Sequence, residues 1–208
     1  MRFFVKIGFF NSQVRPQITM TIDAFRIANE SDASAISKLV NAAYRPGSGT
    51  SSWTHESELV AGERTNPTQV AEIISKPNSA VIVGINNSEI IACVHIEKEG
   101  SSCHIGMLAV NPMLQGSGAG KQILAQAEKH AIEVFNSEKF VIIVVSSRGE
   151  LISFYMRRGY QNTGTVIDYP LSAGAGIPKS SDLKVEVLEK RSNIAVRRDG
   201  REAARLLP

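Results

Sequence analysis

A short apolar strand that runs into a glycine-rich helix start is the feature of this chain that most restricts its fold. Residues 103–110 read CHIGMLAV, Asn111-Pro112 follow, and Gln115-Gly116-Ser117-Gly118-Ala119-Gly120-Lys121 opens a long amphipathic stretch. Glycines let the backbone turn tightly and bring several unpaired amide N–H groups toward one point, where the dipole of the following helix adds about half a positive charge. Such a turn suits a phosphate or pyrophosphate.

Spacing separates the nucleotide motifs that compete for this loop. A Walker A loop needs Gly five residues before Gly120 and Ser or Thr after the Lys, where this chain has Gln115 and Gln122. The dinucleotide fingerprint G-x-G-x-x-G fails as well, because Lys121 stands three residues after Gly118 and Gly120 comes one residue too early. The pattern that fits is Q-x-x-G-x-G, at Gln115, Gly118 and Gly120.

Periodicity supplies the surrounding elements. A first strand is expected over Phe25–Ala28, then a helix capped by Ser31 and running to Tyr44, with Ile36, Leu39, Val40 and Ala43 on one face. A Gly/Ser loop from Arg45 to Ser52 leads to a helical stretch over Thr54–Gly62, and Asn66-Pro67-Thr68-Gln69 restarts a helix with Asn as cap, Pro at N1 and Gln at N3. Residues 80–110 read as an antiparallel meander turning at Asn86-Asn87 and at Glu99-Gly100-Ser101. A helix from Gly118 to Asn136 buries Ile123, Leu124, Ala127, Ala131 and Val134, and leads to a buried strand over 140–145. A short helix from Glu150 to Arg158 ends at Gly159, and two more strands are expected over 160–168 and 183–188.

The Q-x-x-G-x-G loop resembles the coenzyme A pyrophosphate loop of the GNAT superfamily of N-acetyltransferases. A second stretch, LISFYMRRGY at 151–160, resembles the same family's aromatic-Tyr-x-x-x-Gly-aromatic segment. The expected order β, α, α, β, β, β, α, β, α, β, β is the family's order, and the resemblance runs from about Phe25 to Glu189. It implies an α/β chain of the α+β kind, with a mixed, mostly antiparallel sheet of about six to seven strands flanked by about four helices. Residues 1–19 read as an extension, 20–190 as the acetyltransferase domain and 191–208 as a basic tail.

The resemblance implies acetyl-CoA as cosubstrate and direct acetyl transfer to a primary amine of a small molecule or peptide; the alternative is a non-catalytic coenzyme A sensor or interaction module on the same fold. Coenzyme A is expected against Gln115, Gly116, Ser117, Gly118, Ala119, Gly120 and Lys121, against Leu108, Ala109 and Val110 of a bulged strand, and at Ser147. Oriented backbone N–H groups of that strand stabilise charge on the thioester oxygen, each worth about 3 kcal/mol. Tyr155 matches the family's Tyr near the coenzyme A sulfur; a phenol that keeps its proton at neutral pH can deliver it to a departing thiolate. An ammonium has no lone pair for attack, and His104, eleven residues before Gln115, is the candidate base, with His95 and Glu97 as weaker alternatives. Tyr44, Trp53 and Glu56 fall where family members meet the acceptor. Arg148 stands where the family commonly has Asn; as a permanent cation it favours an acidic acceptor, with pairing to Glu150 as the plainer reading.

Charge and cysteines bound the remaining classes. Residues 1–19 carry Arg2, Lys6 and Arg15 without an acid, and 191–208 carry five Arg against Asp199 and Glu202, so each end is +3. The whole chain is also +3, which leaves 20–190 at −3, so its basic pI belongs to its ends and nucleic acid is not an expected partner. No stretch has the length or apolarity of a membrane span, Lys6 interrupts the apolar N-terminus, and a cytoplasmic protein, monomeric or homodimeric, is expected. Cys93 is expected opposite residue 106 rather than Cys103, which argues against a disulfide, and no metal-ligand spacing is present.

Overall fold

A computed structural model of the chain describes residues 21–46, 52 and 55–194. The expected extension over 1–19, Trp53 and the tail beyond residue 194 lie outside the described residues. The elements follow as β1 (Ala24–Ile27), α1 (Ala33–Tyr44), β2 (Val60–Ala61), α2 (Pro67–Ser75), β3 (Ser79–Asn86), β4 (Glu89–Glu99), β5 (Ser102–Val110), α3 (Ala119–Glu133), β6 (Lys139–Val145), α4 (Gly149–Met156), β7 (Gln161–Asp168), β8 (Ile177–Pro178) and β9 (Lys184–Arg191). Seven strands form one mixed sheet in the order β1-β3-β4-β5-β6-β9-β7, and β2 and β8 form a separate two-stranded ribbon.

Alternation along the meander divides the core between the two faces of the sheet. Helices α1 and α2 cover Val81, Val83, Cys93, Met107 and Ala109, whereas α3 covers Ile82, Val94, Ile105, Leu108 and Val110. With α4 packed on the α3 side through Leu151, Phe154 and Tyr155, four helices among the described residues flank the sheet, as the family resemblance implies. Both cysteines are free and buried on opposite faces, Cys93 with the α1 side and Cys103 with the α3 side. Cys93 pairs with Ala109 rather than with residue 106, because the hairpin turns at Gly100-Ser101 and β5 carries one extra residue at a bulge.

Local chemistry explains where expectation and structure differ. Asn29, not Ser31, caps the first helical segment: its Oδ1 accepts from Ser31 N at 3.0 Å while its own amide donates to Asp32 Oδ2 at 2.9 Å, closing a capping box around a 3-10 turn that precedes α1. The helix expected over Thr54–Gly62 amounts to a single turn. Leu59 N and Val60 N both donate to Glu56 O at 2.9 Å, after which Val60 and Ala61 pair with Pro178 and Ile177. Val134 is 63% exposed rather than buried, since α3 stops at Glu133 and Phe135 takes the apolar position against His130. Ile143, in the middle of the expected buried strand, is 44% exposed.

The cap at α2 is as expected. Asn66 Oδ1 accepts from Gln69 N at 3.0 Å, and Gln69 Oε1 accepts from Asn66 N at 3.1 Å. Asn66→Ala removes one of these bonds and loosens the other, and it is expected to lower stability by about 1 kcal/mol in urea unfolding.

Candidate active site

The site grows from an irregularity in β5. Strand β4 pairs His95 with Gly106 but Cys93 with Ala109, so Met107 and Leu108 together oppose one residue of β4. Met107 adopts a left-handed φ of 46°. An extra residue bends a strand and increases its local twist. Parallel pairing of β5 with β6 is confined to Ser102–His104 with Lys139–Val141, and beyond that point the two strands diverge. The edge of β5 that faces the gap from Ile105 onward has no β6 ladder to pair with.

Two cavities occupy the wedge. The first, of about 440 Å³, runs from Leu108 and Val110 over Gly116, Gly118 and Gly120 to Lys121, Phe154 and Arg158. The second, of about 350 Å³, lies on the α1 side over Gly106 and Met107 and is bounded by Glu56, Arg64, His95, Glu97, His104 and Tyr169. Tyr44, Leu108, Leu151 and Tyr155 line both. Gly106 leaves the floor of the second cavity bare, since a Cβ there meets nothing within 4 Å.

The glycine loop presents backbone donors to the first cavity. Gly116 (φ 88°) and Gly118 (φ 94°) take conformations that side-chain-bearing residues avoid, and Gly118 is the cap residue of α3. Among the described residues, the amides of Gly118, Ala119 and Gly120 have no recorded acceptor, as befits a helix N-terminus open to an anion. Gln115 braces the loop: its Nε2 donates to Ser52 Oγ at 3.0 Å, and Ser52 Oγ donates to Ala43 O at 2.6 Å. Ser117 turns inward on its own loop, donating to Leu114 O at 2.7 Å. Ala119 is buried in the core, and Ala109 projects to the α1 face, so both can offer only backbone to a ligand. Lys121 is exposed at the cavity edge, and Ser147 is exposed in the turn after β6 and lines neither cavity.

Tyr155 stands where the cavities join. It is 8% exposed, makes edge contacts with Phe154 (5.1 Å) and Tyr160 (5.7 Å), and burial pushes its pKa up to about 12. Its hydroxyl therefore keeps its proton at neutral pH. Tyr44, raised further by burial, donates to Leu108 O at 2.9 Å and so pins the bulge.

At the second cavity, the His104 side chain is 40% exposed, with Nε2 at 2.8 Å from Glu99 Oε2. His95 is held differently. Ser79 Oγ donates its one proton to Ile73 O at 2.6 Å, so at 2.9 Å it can only accept from His95 Nε2–H, which leaves Nδ1 as the ring's acceptor. Burial lowers the His95 pKa to about 4, against the opposing pull of Glu97, and keeps the ring neutral. Glu97 is paired with Lys76. Arg148 is buried; its Nε pairs with Glu150 and its Nη1 donates to His55 O at 2.6 Å, so it ties the 55–56 segment to the start of α4.

Several residues at the site escaped the sequence reading. Arg158 lies with Cζ 3.4 Å from the Phe154 ring centroid and lines the first cavity, where a cation faces the glycine loop. Its spacing of four residues from Phe154, across the end of α4, is the available signal. Arg64, Gly106 and Tyr169 carried no motif. Arg45 organises the wall of the second cavity: Nη1 donates to Tyr44 O at 3.1 Å and meets Glu56 at 3.3 Å, Nε donates to Gly62 O at 3.0 Å, and Nη2 donates to Ala175 O at 3.1 Å. Among the described residues no group of His, Cys, Asp and Glu could hold a metal ion, and no helix is long and apolar enough to cross a membrane.

A family profile described as "Acetyltransferase (GNAT) domain" matches residues 50–168. No curated protein matches the chain. Among solved structures, an N-acetyltransferase from Staphylococcus aureus is 16% identical with a TM-score of 0.62, and the match covers 81% of this chain and 96% of that one. An IAA acetyltransferase from Bacillus cereus (15%, TM-score 0.57) covers 81% of this chain and 99% of its own. An acetyltransferase of the GNAT family from Streptococcus pneumoniae (14%, TM-score 0.57) covers 81% and 98%. At these identities the structural likeness shows the fold.

Replacing Arg45 strands the buried Glu56 carboxylate and releases three backbone carbonyls together. Arg45→Met is expected to lower stability by about 3 kcal/mol, measured by denaturant unfolding.

Proposed function

The chain belongs to the GNAT acetyltransferases, and from that premise we propose that it transfers the acetyl group of acetyl-CoA directly to a primary amine of a small molecule or peptide. The observation that carries this reading is the meeting of the two cavities at Tyr44, Leu108, Leu151 and Tyr155. One cavity ends in a helix N-terminus fit for a pyrophosphate, the other is walled by ionisable side chains, and one protonated phenol serves both.

The residues present fit coenzyme A. Amides of Gly118, Ala119 and Gly120 without recorded acceptors, the cap conformation of Gly118, and the cations Lys121 and Arg158 suit its phosphates, while Leu108, Val110 and Phe154 suit its apolar arm. When bound, acetyl-CoA supplies a thioester whose acyl carbon the amine attacks, with a thiolate as leaving group. The open edge of β5 at the bulge orients the acyl group and offers backbone donors where charge develops on its oxygen. Tyr155 holds a proton on its hydroxyl and gives it to the departing sulfur. His104 takes the proton from the acceptor amine, directly or through water; neutral His95 accepts a hydrogen bond through Nδ1. Neither cysteine enters, since both are buried in the core and burial raises both thiols. Tyr44 and Glu56 wall the amine's side.

Coenzyme A or acetyl-CoA is expected to raise the melting temperature, because a ligand bound only by the native state stabilises it by mass action. Gly120→Leu is expected to abolish the shift, since its Cβ stands 3.5 Å from Phe154 Cζ and the larger side chain fills the cavity. Gly118→Leu does the same by blocking backbone approach. Shifts retained in both variants would remove the pyrophosphate assignment.

Release of free thiol with a panel of amines tests the transfer itself. Tyr155→Phe should lower kcat roughly 10²-fold with little change in acetyl-CoA affinity, because the proton matters only as the thiolate departs. His104→Ala should lower kcat/KM for the amine while acetyl-CoA affinity stays unchanged. Full activity of His104→Ala leaves water as the base. Binding of acetyl-CoA without thiol release for any amine would return the protein to a sensor.

A further inference from the structure

Building on the transferase reading above, we infer that Arg64 recognises an anionic group on the acceptor, so that the substrate is an amine that also carries a carboxylate. Three observations carry this. First, the carboxylates around the second cavity are matched, Glu56 with Arg45 and Glu97 with Lys76, and the His104 ring lies 2.8 Å from Glu99. Among the described residues the Arg64 guanidinium has no ion pair and no hydrogen bond, although it lines the same cavity and is half-buried. A cation partly withdrawn from water and left without a counterion favours an anionic partner.

Second, Arg64 is held in advance. Its amide donates to Asn41 Oδ1 at 2.7 Å, and Asn41 Nδ2 donates to Thr65 O at 2.8 Å, so one side chain of α1 clamps the backbone on which Arg64 stands. The capping box of α2 begins at the next residue but one, Asn66. The guanidinium then lies over the Tyr44 ring with Cζ 5.3 Å from the centroid, a contact that spends none of its N–H donors. Third, Tyr44 is the residue whose hydroxyl pins Leu108 O at the bulge, so one aromatic ring separates the cation from the strand edge where the acyl group is expected. An amine at the bulge with an anion a short distance away is the outline of an amino acid. The Arg64 charge also acts on His95 and Tyr169 elsewhere on the cavity wall. Arg148, the cation that the sequence offered for this role, is committed to Glu150 and His55.

The test compares α-amino acids with their α-amides and with the corresponding decarboxylated amines, and O-phosphoethanolamine with ethanolamine, in the wild type, Arg64→Gln and Arg64→Lys. In the wild type, kcat/KM should favour the carboxylate over the amide once the two amines are compared at equal free-base concentration. Arg64→Gln should cut that preference roughly 10- to 150-fold, through KM, the range expected for a hydrogen bond to a charged group. Arg64→Lys should keep part of it, since the charge remains and the fork is lost. Preference for the phosphate ester over the carboxylates identifies phosphate as the anion and overturns the carboxylate assignment. An unchanged acid-to-amide ratio in Arg64→Gln overturns the inference while the transferase reading stands. Calorimetric titration of the amino acid into the coenzyme A complex gives a readout free of turnover. Arg64-dependent binding without thiol release supports the inference and overturns the transferase reading, and absence of both binding and turnover overturns the inference.

Discussion

Everything distinctive about this molecule follows from the one surplus residue in β5. Simple alternation from Ile105 would send Met107 and Ala109 to the same side as Ile105. With Met107 and Leu108 opposed to a single residue of β4, Ile105, Leu108 and Val110 instead face α3, and Met107 and Ala109 face α1. A non-glycine residue in the left-handed region costs about 1–2 kcal/mol. Burial of the Met107 side chain, 8% exposed, contributes about 1.5–3 kcal/mol and offsets that strain. The strain of the bulge is thus offset by packing against α1, the helix that also supplies the Tyr44 bond to Leu108 O.

A wedge between two strands is unstable unless its open edge is braced, and the bracing comes from elements distant in sequence. Tyr44, at the last turn of α1, bonds Leu108 O; the backbone of the same turn bonds Arg45, which reaches the 56, 62 and 175 segments. Gly176 shows how closely these segments meet: a Cβ there would lie 2.6 Å from Ala61 O and 2.7 Å from Val60 Cγ1. The β2–β8 ribbon thus closes the second cavity with contacts that depend on a missing side chain, while the glycine loop opens the first cavity with amides left over at a helix start. The two sides obtain polarity by different routes, one from side chains and one from backbone.

Much of this was legible in the sequence because the informative interactions are local. The cap at Asn66, the left-handed glycines before α3, and the 3.6-residue stripe of Ile123, Leu124, Ala127 and Ala131 are all decided within a few residues, and the structure has each of them. The helical stretch expected over Thr54–Gly62 survives as one turn at 56–60; what stops it is pairing with residues 177 and 178, more than a hundred positions away. The register of Cys93 differs from expectation by three residues, two from a hairpin that turns at Gly100-Ser101 and one from a bulge in β5 that leaves no mark on its alternating apolar pattern. Val134 and Phe135 both lie beyond the last residue of α3, and only Phe135 turns back against His130, a choice that the apolar stripe of the helix does not encode.

Arg148 and Arg64 make the limit of sequence reading specific. Both are arginines near the candidate acceptor cavity, and the sequence singled out Arg148 because it departs from a family pattern. Arg148 has Glu150 two residues away and a free-standing carbonyl of His55 within reach once the chain folds, so its charge is consumed in holding two segments together. Arg64 is preceded by Glu63, yet its neighbour in space is the face of Tyr44, which attracts the guanidinium without neutralising it. Cation–π contact preserves the charge that an ion pair would cancel. The same residue type becomes a brace in one place and a recognition element in the other according to whether its nearest partner is a carboxylate or a ring. That distinction is set by the packing of α1 against the loop that follows β2, and no spacing within the chain encodes it.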